Sequence, residues 1–561
     1  MKIGGDIFLN ATQDFSDPAV KSFIRDAFEF LKKYLVSELN SARYVDVAEE
    51  FFEAEDQTFK KYGFNLRHPG KVALRDKLDD PESKFVFDFT RGLLFQSVRL
   101  ACLLHDVGHF PYSHTVESAV SNYLRELFDT KDDIKGPEKQ IFENCTEMIN
   151  HFGAANLLDE GKLHEYISLK IIDEILPESK LTEFQYFSRL LAKKIINQGD
   201  VAEDEENIIH TLYEIASGEV DADRLDYTLR DPYSSGLELG KFDIERLLNN
   251  FTIARTEEDI YRILPKGQAL SSIESFFHQR YLTHKYLIYH HGKVRMDQIV
   301  GKITEILIQI YFNNQKEEYE KIRLILMENG FDNLWSKIND YENTSNEGYE
   351  DYFYCDEGWF NNLIKTIFSQ KEDLHNKDIK IINNLFLLIE TFILRKTENI
   401  YSIFKRYDMY YKFFKDIYTK VNKEAKEDAN FTDFKNRCSE IIQDDIDLIL
   451  TEINDKHSDV VFLYKKILPK LLKWETKDET ELKIVIDDND GNTQLIPANE
   501  ISPYIDSLKV VKNEERMFHM FLIGDNLKEQ SEKIKEIYND ICESVKDKYI
   551  YKKNKEKGSE S

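Results

Sequence analysis

The chain of 561 residues has little of what interrupts regular structure, with only 22 glycines and 11 prolines. These residues punctuate turns and end helices, so their scarcity argues for long elements rather than many short strands. Cysteine is equally sparse. Cys102, Cys145, Cys355, Cys438 and Cys542 are scattered, odd in number and without CxxC spacing. That argues against a thiolate zinc site and for a reducing compartment. Long apolar runs are missing too. The most apolar stretch, 385–394, is interrupted by Glu390 and falls far short of the roughly 20 residues a bilayer span needs. The first residues, MKIGGDIFLN, lack the basic-then-apolar order of a secretory signal. The expectation is a soluble cytoplasmic protein with no membrane partner. Positive charge is also in deficit. Against 103 Asp+Glu stand 75 Lys+Arg, a formal net charge of −28. Phosphate backbones demand a basic footprint, so long nucleic acid is not an expected partner. A small anionic substrate stays open, because a few local cations and a metal can outweigh the global field at short range.

What is present is a globular composition, 42% hydrophobic and 32% charged, long enough for several domains. Apolar residues recur at helical spacing over 20–39, 93–104, 303–324 and 379–394, so the fold is predicted to be mainly α. One stretch near the end, LKIVIDDNDGNTQLIP (482–497), reads as two strands around an Asn-Asp-Gly turn, and MFHMFLIG (517–524) as a third strand. Together they predict a small α/β subdomain at about 471–550. Residues 339–358, rich in Asp, Glu, Asn and Tyr, read as a loop opening a separate helical region. The final stretch, 551–561, reads as a disordered tail.

Two stretches carry chemistry. In RLACLLHDVGHFPYSH (99–114) an apolar helix runs into His105-Asp106, after which Gly108 and Pro111 end it. Imidazole and carboxylate are both good ligands for a borderline divalent cation, and His109 lies one turn after His105. Three histidines and an aspartate within 105–114 outweigh the bland reading of a solvated helix end. In the second stretch, GEVDADRLDYTLRDPYSSGLELGKFD (218–243), Asp223, Tyr227 and Asp231 fall at i, i+4 and i+8, one stripe of a helix. Asp226 and Arg230 form an i, i+4 pair that equally suits a salt-bridged surface helix. Spacing alone leaves that stripe undecided.

Together LLHDVGHFPYSH and VDADRLDYTLRD resemble the signature segments of the HD-domain deoxynucleoside triphosphate triphosphohydrolases. FFHQRYLTHKYLIYHH (276–291) is similar to the family's arginine-bearing helix, with Arg280, His284 and His290 in register, and His164 matches a further family histidine. The end of the chain, GNTQLIPANEISPYIDSL, resembles the C-terminal α/β subdomain of bacterial members. The resemblance implies an HD-domain helical core over 1–310 with a divergent N-terminus. A helical region without counterpart follows at 311–470, and then the α/β subdomain.

It further implies that His105, Asp106 and Asp223 ligate a divalent metal ion (Mn, Mg, Fe, Ni or Zn). His109, His114 and His164 would lie beside the scissile phosphate. Tyr227 and Asp231 would hold the deoxyribose 3′-hydroxyl, and Arg280, with His284 in register, would contact phosphate, helped by Arg224 and Lys285. The implied reaction releases deoxynucleoside and triphosphate, and the implied assembly is a homo-oligomer. The family's first metal-binding histidine sits in an Arg-aromatic-x-His-Ser motif absent here. His68 in NLRHPG, Asp46 after Arg43-Tyr44, or no protein ligand compete for that place. Two other readings stand beside this one: an HD phosphodiesterase or nuclease acting on another nucleotide, and a degenerate HD protein that senses nucleotides.

Overall fold

The computed structural model describes residues 2–13, 17–38, 81–129, 163–197, 203–256, 259–313, 316–335, 355–374, 379–425, 430–467, 482–487, 493–514 and 517–559, with positions 139, 143 and 146. His68, Asp46, Arg43-Tyr44 and most of the acidic stretch 339–358 lie outside the described residues.

The protein is mainly α-helical with a few small sheets, as the scarcity of Gly and Pro predicts. In chain order the helices that matter are α1 (Lys2–Ala11), α2 (Pro18–Glu38), α3 (Pro81–Leu104), α4 (His114–Asp129), α5 (Leu163–Ile175), α6 (Glu183–Ile196), α7 (Glu203–Ser217) and α8 (Ala222–Ser235). An antiparallel pair, β1 (Phe251–Arg255) and β2 (Tyr261–Pro265), precedes α9 (Leu270–Thr283). Then come α10 (His291–Phe312), α11 (Glu320–Glu328), α12 (Glu357–Ser369) and α13 (Lys380–Ile393). The C-terminal part holds β3 (Ile400–Phe404), α14 (Tyr407–Ala425), α15 (Phe431–Lys456), β4 (Val461–Ile467), β5 (Lys483–Asp487), β6 (Thr493–Pro497), β7 (Met517–Ile523) and α16 (Ser531–Ser559). Among the described residues no helix is long and apolar enough to cross a membrane, and Cys102, Cys355, Cys438 and Cys542 are free thiols.

Three apolar cores organise these elements. The first gathers Phe8 of α1, Phe23 of α2, Leu94 and Val98 of α3, Phe187 of α6, Leu212 of α7, Leu225 of α8 and Phe276 of α9. The second gathers Val120 of α4, Ile167 of α5, Ile303 of α10, Phe360 of α12 and Ile389 of α13. The third lies between α14, α15 and α16, around Phe413, Ile441 and Ile541. Each fully buried side chain of this size contributes about 1.5–3 kcal/mol of burial free energy. β7 joins the last two cores by strand alternation: Phe521 and Ile523 face the second, Met520 and Leu522 the third.

Several expectations are corrected. The three strands form where predicted but in two sheets. β5 and β6 pair with each other and touch the β2 end through a Lys266–Val485 bridge, whereas β7 is the central strand of the order β3-β7-β4. Residues 471–550 are therefore not a self-contained unit, since the partners of β7 come from the preceding region. The helical run over 303–324 breaks at Asn313, which caps α10, and resumes as α11. Gly358 belongs to α12 rather than to a loop, because Asp356 caps that helix by accepting from the Trp359 amide at 2.7 Å. Residues 551–559 continue α16 instead of forming a tail. Their Lys-rich composition is compatible with a helix, and Lys552 lies 3.4 Å from Asp444 and 3.3 Å from Asp445 on α15.

Candidate active site

The site lies at the seam of the first two cores. α3 belongs to the first, α4 to the second, and the turns between them carry His105 to Ser113. α5 lies across the seam, giving Leu169 and Ile172 to the first core and Leu163 and Ile167 to the second. Gly108 permits that crossing. A Cβ there would stand 2.3 Å from the His164 carbonyl oxygen and 2.5 Å from the Ser168 nitrogen. Instead the Gly108 amide donates to Ser168 Oγ at 2.8 Å, and the same oxygen lies 2.6 Å from the His105 carbonyl. Backbone atoms cannot retreat as a flexible side chain can. Gly108→Ala is therefore expected to cost about 3 kcal/mol of stability by forcing α5 outward, measured as the shift in urea unfolding followed by circular dichroism.

His105, Asp106 and Asp223 come together although more than a hundred residues separate the two segments. One ligand atom from each lies within 4.8 Å of the others. Asp223 is placed by α8, whose N-cap Asp221 accepts from the Arg224 amide at 2.6 Å and whose end is set by Gly236 at φ 71°. Burial, reinforced by the negative charge of Asp106, pushes the Asp223 carboxyl up.

A second cluster adjoins the first. His109, His114, Glu117 and His164 also place one ligand atom each within 4.8 Å of one another. The His109 and His164 rings stack with centroids 4.0 Å apart. Glu117 is the hub. Its carboxylate lies 2.9 Å from His164 Nδ1, 2.9 Å from His114 Nδ1 and 2.9 Å from the His164 amide nitrogen, and its side chain is 1% exposed. Burial alone would raise the Glu117 carboxyl, but hydrogen bonds from His114 and His164 and the charge of His164 outweigh it and hold the group at about 2. An ionised carboxylate only accepts, so the Nδ1 atoms facing it carry protons. Burial lowers the proton affinity of His164, yet its bonds to Glu117 and the charges of Glu117 and Asp106 overcome that and raise its pKa. His109 shows the opposite balance: burial and the neighbouring His164 press it down to about 4. Asp106 joins the clusters, its Oδ1 lying 3.4 Å from His105 Nε2, 3.6 Å from His109 Nε2 and 3.5 Å from His164 Nε2.

The stripe on α8 continues the site. Tyr227 hydroxyl lies 3.1 Å from His284 Nε2 and accepts from Arg280 Nε at 3.0 Å. His284 opens a single π-helical turn, 284–288, between α9 and α10, an irregularity frequent at functional positions. Asp231, one turn beyond Tyr227, pairs with Arg230 at 2.9 Å. His290 caps α10, accepting from the Gly292 amide at 3.2 Å. The two helper cations are otherwise engaged. Arg224 lies 3.2 Å from Asp221 and 3.5 Å from Glu219, and Lys285 donates to Tyr281 hydroxyl at 2.8 Å.

Glu117, Ser168 and the tight approach at Gly108 were not read from the sequence. The only local signal for Glu117 is its place three residues after His114 on the buried face of α4.

No protein-family profile matches the chain. It is 30% identical over 200 residues to an uncharacterized protein of Methanocaldococcus jannaschii, covering 35% of this chain and 31% of that protein. It is 25% identical over 295 residues to a SAMHD1 homolog of Dictyostelium discoideum, a deoxynucleoside triphosphate triphosphohydrolase, covering 52% of this chain and 47% of that one. A putative HD domain-containing protein of Acanthamoeba polyphaga mimivirus is 25% identical over 39% of each chain. The matched segments thus span about a third to a half of these relatives. A solved phosphohydrolase from Bacteroides thetaiotaomicron is 16% identical, covers 77% of this chain and 80% of its own, and superposes with a TM-score of 0.41. The sequence similarities relate the chain to HD-domain proteins.

Proposed function

We propose that the chain is a divalent-metal-dependent phosphohydrolase that cleaves deoxynucleoside triphosphates to deoxynucleoside and triphosphate. The observation that carries this is the convergence of His105, Asp106 and Asp223 beside the four-residue cluster around Glu117. Its donor set, one imidazole and two carboxylates, fits a borderline or hard cation, Mn²⁺ or Mg²⁺ before Zn²⁺. Fit also follows from charge: two carboxylates and an imidazole with ligand atoms within 4.8 Å of one another call for a positive partner. When bound, the ion would supply Lewis acidity towards water and the phosphoryl oxygen.

The protein's own groups supply the rest. Glu117 fixes the imidazole of His164 through Nδ1, leaving Nε2 directed at Asp106 and hence at the metal side of the site. The raised pKa of His164 favours a proton at Nε2 for the leaving 5′-oxygen, the work of a general acid. His109, pressed towards its neutral form, can accept a hydrogen bond or proton instead. His114, 69% exposed and bonded to the same carboxylate, is open to an incoming phosphate. Arg280, held against Tyr227, brings positive charge near the sugar-facing stripe.

Phosphorus NMR of incubations with each dNTP tests the reaction: tripolyphosphate as the sole new phosphorus species supports it, and pyrophosphate or orthophosphate overturns it. Sugar choice is a separate expected outcome. Tyr227 and Asp231 lie one and two turns beyond Asp223, so dATP should be turned over at least tenfold faster than ATP. Asp231→Ala should raise KM roughly tenfold while metal content stays constant, on the scale of one lost hydrogen bond to a charged group. Steady-state kinetics with both nucleotides checks this.

A further inference from the structure

The turn that delivers His114 is strained. Tyr112 and Ser113 both adopt left-handed backbone, at φ 57° and 49°, and neither is glycine. For residues with a Cβ each such conformation costs about 1–3 kcal/mol and persists only where the surroundings hold it. Two groups on α12 hold it here. The Tyr112 amide donates to Glu357 Oε1 at 3.1 Å, and the Tyr112 hydroxyl donates to Asn361 Oδ1 at 3.1 Å. Asn361 is in turn tied to its own helix through a 2.7 Å bond to the Glu357 carbonyl. The Tyr112 ring meets Phe360 of α12 edge-on at 5.7 Å and Phe392 of α13 at 6.3 Å. The anchor therefore comes from the helical region beyond residue 311, some 245 residues along the chain. Directly after the strained pair, the Ser113 carbonyl accepts from the Glu117 amide at 3.2 Å, opening α4. Any relaxation at Tyr112 is thus transmitted at once to His114 and Glu117.

We propose that Glu357 and Asn361 are positioning residues: by clamping Tyr112 they keep the left-handed pair in place and so set where His114 and Glu117 stand. The added helical region would then complete the site rather than merely neighbour it. This rests on the reading that His114 and Glu117 serve phosphoryl transfer, and the test separates the two.

Glu357→Ala, Glu357→Gln and Asn361→Ala are made in the full chain. Hydrogen–deuterium exchange read by mass spectrometry should show peptides over 110–118 exchanging about tenfold faster in Glu357→Ala than in wild type, with peptides over 163–175 unchanged. Glu357→Gln keeps an oxygen acceptor and should restore most of the protection. With dNTP, kcat should fall about tenfold for Glu357→Ala, with KM and bound metal within twofold of wild type, the scale of one charge-assisted hydrogen bond. Unchanged exchange at 110–118 in both alanine variants overturns the proposal whatever the activity. Faster exchange with undiminished kcat overturns it as well, because the clamp would then position nothing that matters. If wild type turns over no nucleotide, the proposed function fails, and the clamp stands or falls on the exchange result alone.

Discussion

Asp106→Ala is expected to abolish turnover and to lower metal affinity by at least about a hundredfold. Changes to groups that merely support a ligand typically cost 10–100-fold, so loss of a ligand should exceed that range. The geometry singles out Asp106 above His105 and Asp223. Its Oδ1 faces three histidine Nε2 atoms at 3.4–3.6 Å, so it belongs to the group with His105 and Asp223 and also borders the group around Glu117. Removing it leaves one carboxylate and one imidazole for the ion and takes away the negative charge that helps to raise the pKa of His164. Elemental analysis after dialysis, paired with phosphorus NMR, checks both halves. A variant that retains full metal occupancy shows the ligand assignment to be mistaken.

Glu117→Ala is expected to lower kcat by about 10²–10⁴-fold, the range of general acid–base contributions, and stability by about 3–5 kcal/mol. The stability figure is that of removing one partner from a buried charged pair, which strands the other. Here the stranded groups are His164 Nδ1, the His164 amide and His114 Nδ1. Metal content should change far less than in Asp106→Ala, since Glu117 is absent from the His105–Asp106–Asp223 group. The acid side of the stability profile supplies an independent check. The folded pKa of Glu117, about 2, lies below its ordinary 4.5, so the unfolded chain binds the proton more readily. Its contribution, about 3 kcal/mol, is fully present above pH 4.5 and is lost as pH falls towards 2. Glu117→Gln, which cannot ionise, should lack that part of the slope between pH 4.5 and 2.5. Urea unfolding of both proteins across that window measures the difference.

Some of this was legible in the sequence because it is local. His105-Asp106 adjoin, and Asp223, Tyr227 and Asp231 share a stripe fixed by 3.6 residues per turn. The helical character of the chain follows likewise from composition and periodicity. Glu117 was not legible. It is one carboxylate in a strongly acidic chain, and its role exists only once α5 brings His164 against it from 47 residues away. Gly108 reads as a helix stop, yet its tightest constraint is the backbone of the same distant helix. The partners of β7 had no local signature either, because strand pairing across 50 residues or more leaves no periodic trace in either strand. Lysine-rich ends look alike whether they are solvated tails or helices, and only the approach of Lys552 to α15 tells the two apart.

The seam between the cores divides labour. Asp223 is carried by α8 and His105-Asp106 by the turn directly after α3, both helices belonging to the first core, whereas His114 and Glu117 ride on α4 in the second. On the proposed function the ion is held on the first core's side and the carboxylate that orients His164 stands on the second, with α5 spanning both. A loosening confined to the second core would leave a loaded but idle protein, able to hold its cation while unable to protonate a leaving group. Local openings occur at free energies below that of global unfolding, so a variant loosened only in the second core is expected to retain its cation while losing turnover.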